Sequence, residues 1–177
     1  MSLLLILLSC FTPTTYDYPI LHVNQVEPLE AFAIGKPQQK AKWKMKPKIR
    51  ICGATEVSIY RMTHAVKYWE AAGYDFETIA KDPFSMCMTP AYGEILVTLP
   101  ETGFADSHMA STRLYTHPEK GDIVKAKIHI LPKYARKERV LEHELGHALG
   151  WMHYRQKFHI MHPTWQLGGY DRTGIGN

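Results

Sequence analysis

Apolar positions along the chain repeat with two periods, and the switches between them set the predicted elements. Residues 48–52, 76–79, 94–99 and 122–131 are short runs in which β-branched and other apolar residues recur, the signature of strands. Residues 103–117 read as extended. Within residues 56–72, Ile59, Met62, Val66 and Trp69 fall on one stripe at helical spacing, and Gly73 follows as a stop signal. Residues 136–149 form a second predicted helix, with Val140, Leu141, Leu145 and Ala148 available for a core. Beyond Gly150 no period persists, and residues 168–177 are too few and too glycine-rich for a further helix. This order predicts an α+β domain: a twisted mixed β-sheet over the second helix, then a small C-terminal subdomain.

Composition and charge divide the rest of the chain. The 177 residues, 45% hydrophobic, suffice for one core with room for an N-terminal extension. No internal repeat occurs, and no run of about 20 apolar residues that would span a membrane as a helix. Residues 1–35 carry no Lys or Arg. Residues 36–50 carry seven (Lys36, Lys40, Lys42, Lys44, Lys46, Lys48, Arg50) and no acid, and the remainder carries 14 basic and 14 acidic residues. Residues 11–46 therefore read as an extension ending in a solvated basic linker, with attraction of residues 36–50 to an anionic surface as the functional alternative. No base-reading module accompanies them, so no specific nucleic-acid partner is expected. Residues 1–10, an apolar run followed by Ser9 and Cys10, read either as an export or lipoprotein signal in which Cys10 would take a membrane lipid anchor, or as a truncated or loosely ordered hydrophobic start, since no Lys or Arg precedes the run and it is short for a signal core. The folded domain is expected over residues 47–177. Cys52 and Cys87 are left as either a disulfide in an oxidising compartment or buried free thiols.

The densest chemistry lies in residues 143–153, His-Glu-Leu-Gly-His-Ala-Leu-Gly-Trp-Met-His. His143 and His147 share a helix face one turn apart and can grip one metal ion. Glu144 stands beside the first of them, placed to hold a water rather than the metal. Gly150 permits the left-handed turn that ends a helix, so His153 can return as third ligand. Three protein ligands leave one position open, which separates a catalytic zinc site from a closed, four-ligand structural one. The expected cofactor is one catalytic Zn2+, with no structural zinc or calcium site evident. His108, His117 and His129 are scattered and read as surface or strand histidines.

This H-E-x-x-H-x-x-G-x-x-H stretch, with Ile160-Met161-His162-Pro163 after it, resembles the metzincin zinc peptidases, whose mark is that motif followed by a Met-turn. The nearest likeness is to matrixins. Met161-His162-Pro163-Thr164-Trp165 is similar to the matrixin Met-Tyr-Pro-x-Tyr segment. Gly103-Phe104-Ala105-Asp106, followed by residues 121–130, resembles the strands before the matrixin active-site helix. The likeness spans residues 47–167, specific over 143–165 and loose before it. It implies that Met161 lies beneath the metal without binding it, and that Pro163 and Trp165 wall a substrate pocket, Trp165 standing in place of the family's tyrosine. Tyr154 stands where matrixins usually carry Ser or Thr. Pro163 stands where astacins carry a zinc-binding Tyr. Neither a His-x-Asp cluster for structural zinc nor a Pro-Arg-Cys-Gly cysteine switch is present.

The resemblance implies a zinc-dependent endopeptidase that hydrolyses peptide bonds of a protein or peptide substrate by a zinc-activated water, with Glu144 as general base. The substrate would lie extended along an edge strand, for which residues 107–112 are the candidate. His162 or Tyr170 could support the oxyanion. A monomer is expected. Export or membrane anchoring is favoured over a cytoplasmic or virus-encoded setting. The alternative is an inactive metzincin-like protein or a structural-zinc binding module tethered to a membrane or wall surface.

Overall fold

A computed structural model describes residues 35–83, 87, 89–100 and 108–176. The expected signal segment with Cys10, most of the expected extension, and Gly103-Phe104-Ala105-Asp106-Ser107 lie outside the described residues.

The elements run β1 (Lys48–Ile51), α1 (Ile59–Glu70), β2 (Ile79–Lys81), β3 (Glu94–Thr98), β4 (Ala110–Thr116), β5 (Ile123–Ile130) and α2 (Val140–Ala148), with a 3-10 turn over Pro132–Tyr134 before α2. They form a small α+β domain whose five-stranded sheet has the order β2-β1-β3-β5-β4. The first four strands in that order run parallel, and β4 is antiparallel to β5. The fold class expected from the sequence is thus observed at this level: a mixed sheet and two helices. Among the described residues β4 is an edge strand, paired on one side alone.

Burial follows the sequence pattern. All five residues of β3 are buried, as a strand covered on both faces requires. On one face Ile49, Ile51, Ile95, Val97, Ile128 and Ile130 join Met62, Val66 and Trp69 of α1 and Leu141 and Leu145 of α2 in a single core. On the other, Leu96 packs with Cys52 and Cys87, which form a disulfide across 35 residues of chain. Of the two readings of these cysteines, the bridge is the one realised. Closing a loop of that length restricts the unfolded chain by about 3–4 kcal/mol.

Both helices start later than expected, each for a reason visible in its hydrogen bonds. Helix α1 starts at Ile59 because the Ser58 hydroxyl caps it, accepting from the Arg61 N–H at 3.1 Å. Ile59, at the first position, stays exposed while Met62, Val66 and Trp69 are buried. Helix α2 starts at Val140, not at 136, because Arg139 adopts φ +66°, a left-handed conformation uncommon outside glycine. Its guanidinium donates to the carbonyls of Trp165 (3.1 Å) and Gly168, which holds that turn.

The basic segment is not a free linker. Its lysines are exposed, but Pro37 and Pro47 are buried and Gln39, Ala41 and Trp43 half-buried between them. Lys40 N–H donates to Gly150 O (2.9 Å), and Met152 N–H to Gln38 O (3.0 Å). The Trp43 indole N–H reaches Ala148 O (2.8 Å), and the Gln39 amide reaches Leu149 O (2.8 Å). The bonds to the Ala148, Leu149 and Gly150 carbonyls satisfy acceptors that the C-terminus of α2 would otherwise leave open. The folded domain therefore begins well before residue 47, and only the outward lysines remain a solvated face. Lys44, Lys46 and Lys48 pair with Asp122, Asp75 and Glu77 at 2.9–3.2 Å.

Candidate metal centre

Helix α2 carries His143 and His147 on the face turned to the cleft, and its end delivers His153. The chain leaves the helix through paired bonds, Trp151 N–H to Gly146 O (3.0 Å) and Gly150 N–H to His147 O (2.8 Å), with Gly150 at φ +95°. This is a Schellman closure, which needs a left-handed residue at Gly150. A Cβ there would also lie 2.0 Å from Ala41 O. Gly150→Ala is therefore expected to cost about 2–4 kcal/mol from backbone strain and collision, and to weaken metal binding by displacing His153. Denaturant unfolding with and without zinc checks both effects; an unchanged midpoint would remove the role assigned to this turn.

The imidazoles are oriented by backbone carbonyls. His143 Nδ1 lies 2.7 Å from Ile160 O, and His147 Nδ1 2.7 Å from Trp151 O. A carbonyl only accepts, so each Nδ1 carries the ring proton and each Nε2 is left with a lone pair. His147 Nε2 is 3.0 Å from His143 Nε2 and 3.1 Å from His153 Nε2. Within the trio the candidate ligand atoms all lie within 4.8 Å of one another. The three histidines can therefore hold a metal ion. Tetrahedral zinc with bonds of about 2.0–2.1 Å separates its ligands by about 3.3–3.4 Å, a few tenths of an ångström from what is seen.

Below the helix, space is made for a methionine. A Cβ on Gly146 would lie 2.3 Å from Met161 Sδ and 2.7 Å from the Trp69 ring. Met161 is fully buried, and its carbonyl accepts from Tyr154 N–H at 2.9 Å. Trp69 donates its indole N–H to Glu142 O (2.8 Å). Arg61 clamps the Glu142 carboxylate through two bonds of 2.8 and 2.5 Å. Both contacts tie α2 to α1.

Glu144 is buried in the cleft wall and receives the Thr112 hydroxyl at 2.6 Å. Burial pushes its carboxyl up to about 7, against a smaller downward pull from that hydroxyl. Burial drives His143 down to about 4, with the neighbouring His153 adding to it, and holds His147 well below its ordinary value.

These shifts set an acid response of the metal-free protein. Between about pH 5 and 6 the unfolded chain binds a proton at each of His143 and His147 that the folded state refuses. The folded state in turn keeps one on Glu144 that the unfolded chain has lost. The balance is about one more proton on the unfolded chain, so stability falls by roughly 1 kcal/mol for each pH unit of acidification. His159, also depressed by burial, acts in the same direction. Urea midpoints of the metal-free protein across this range check the sign; a rise in stability on acidification would contradict it.

The cleft itself encloses about 280 Å³. It is lined by the three histidines and Glu144, by Met109, Ala110, Ser111, Thr112 and Leu114 from β4 and the residue before it, and by His162, Pro163 and Trp165. Pro163 and Trp165 thus both line the cleft. The Trp165 ring is fixed between Lys137 Nζ (3.8 Å from its centroid) and Arg139 (4.4 Å), and its indole N–H donates to Glu138 O at 3.0 Å. His162 lines the cleft, but Tyr170 does not: it is exposed and stands against the Tyr68 ring. Of the scattered histidines, His108 reaches the cleft and His129 is buried in β5. Two site contacts escape sequence reasoning, the Thr112 hydroxyl on Glu144 and the Arg139 guanidinium on Trp165 and Gly168. Thr112 closes the expected edge segment 107–112 and lies between Ala110 and Leu114 on the inward-facing alternation of β4. No protein-family model, curated protein or solved structure matches the chain in comparison.

Proposed function

We propose that the protein is a zinc-dependent endopeptidase of the metzincin type, matrixin-like in its cleft. The observation that carries this reading is the convergence of three imidazole Nε2 atoms beside a buried carboxylate, in a cleft bounded by β4, the edge strand among the described residues. The donor set fits a borderline cation. Three neutral nitrogens suit zinc, the Nδ1 protons are committed to Ile160 O and Trp151 O, and no fourth protein ligand joins the trio among the described residues. The left-handed exit at Gly150, the buried Met161 under α2 and the mixed sheet with an antiparallel edge support the finer fold assignment.

His143, His147 and His153 would hold the ion. Zinc bound there would supply Lewis acidity, polarising a carbonyl and lowering the pKa of a water. Everything else falls to the chain. Among the described residues the outer edge of β4 pairs with no other strand, and an extended peptide can align along it. Pro163 and Trp165 receive one of its side chains. Glu144 takes a proton from the attacking water at its carboxylate and returns it to the leaving amine. His162 lines the cleft with its Nδ1 at 3.0 Å from Thr164 N and 3.1 Å from Thr164 O, and in the tautomer that keeps the ring proton on Nε2 it would donate to the oxyanion. The Cys52–Cys87 disulfide favours an oxidising, exported setting.

The test is incubation of the full chain with an unstructured protein, with products read by mass spectrometry. Cleavage that a chelator stops and added zinc restores is the expected result. A folded, zinc-loaded protein that cuts nothing would overturn the reading in favour of a binding module.

A further inference from the structure

We propose that Thr112 is a positioning residue for Glu144, keying the general base to the strand along which the substrate would lie; the inference rests on the peptidase reading above. Thr112 Oγ1 stands 2.6 Å from Glu144 Oε2 and 3.1 Å from the Glu144 main-chain oxygen. Among the described residues it is the one hydrogen-bond partner of that buried carboxylate. It lies in β4 between Ala110 and Leu114, which are both buried.

A threonine hydroxyl has one proton and two lone pairs. While Glu144 is a carboxylate, the hydroxyl donates to Oε2 and leaves Oε1 for the water. Once Glu144 has taken the proton of that water on Oε1, Oε2 becomes the acid's carbonyl oxygen and still accepts from the hydroxyl, while the proton on Oε1 stays directed at the reacting groups. The same side chain thus holds the carboxyl in one orientation before and after the transfer, and no other group need move. A buried carboxyl deprived of this partner would be free to rotate about its last bonds. Because Thr112 belongs to the edge strand, the base and the substrate backbone would share one support.

Steady-state kinetics on the full chain test this with Thr112→Val and Thr112→Ser, each checked for one bound zinc and an unfolding transition. Val keeps the shape and removes the hydroxyl. It is expected to lower kcat about 10–100-fold, the loss of a hydrogen bond to a charged group, with KM within about 2-fold. Ser restores the hydroxyl and should bring kcat back to within a few-fold of wild type. Should the Val protein not fold, Thr112→Cys, a poor donor of similar size, must show the fall in kcat. An unchanged kcat in Val, an effect confined to KM, or equal losses in Val and Ser would each overturn the inference while leaving the peptidase reading intact. Absence of zinc-dependent cleavage by the wild type overturns that reading, and this inference with it.

Discussion

Replacing Glu144 by Gln is expected to leave a folded protein with one zinc and peptide hydrolysis reduced about 10²–10⁴-fold, the usual span for loss of a general acid–base group. The amide has the volume of the carboxyl and can still accept from Thr112, so the contact at 2.6 Å survives. What disappears is the proton acceptor. Glu144 is not among the ligand trio, so metal content should not change. The substitution also removes the buried carboxyl whose raised pKa offsets the histidines below pH 7. The metal-free variant should therefore lose roughly 2 kcal/mol per pH unit of acidification between about pH 5 and 6, about twice the wild-type slope. Kinetics, zinc analysis and urea midpoints on one preparation separate these effects. Full activity in the variant would remove Glu144 from the mechanism.

Replacing His147 by Ala is expected to abolish both zinc binding and hydrolysis. His147 is the hub of the trio, at 3.0 Å from one partner nitrogen and 3.1 Å from the other. Without it, His143 and His153 remain on either side of a gap. Loss of an outer hydrogen-bonding partner alone typically costs a site 10–100-fold in affinity, so loss of a direct ligand should exceed about 100-fold. In the metal-free state the same substitution removes an imidazole that burial forces to stay neutral, so the variant should be less sensitive to acid than wild type. Zinc titration by calorimetry reads the first effect. A variant that still bound zinc tightly would place the ion elsewhere.

The site was legible because its geometry is local. Two histidines one turn apart, a glycine and a third histidine fix positions within a single helix and its exit, and no distant contact is needed to predict that they converge. The core stripe of α1 and the buried strand β3 were legible for the same reason, since period and burial coincide. What was hidden depends on contacts far apart in sequence. Arg139 takes a left-handed conformation because carbonyls of Trp165 and Gly168 receive its guanidinium, and nothing within residues 136–140 announces that. The segment around Ala41 and Trp43 has too few apolar residues for a periodic signal, yet it caps the end of α2 through the Lys40 N–H and the side chains of Gln39 and Trp43. Thr112 meets Glu144 only because β4 folds over the helix. Tyr170 illustrates the converse, a plausible side chain near the motif in sequence that the fold turns toward Tyr68.

An open, three-histidine zinc centre beside a buried base has a distinct signature in X-ray absorption at the zinc edge, measured on the full chain loaded with one equivalent of zinc. Three imidazole nitrogens and one light, exchangeable ligand that a hydroxamate displaces are expected. A fourth protein ligand, or a sulfur in the coordination sphere, would mean a closed structural site and would contradict an open centre.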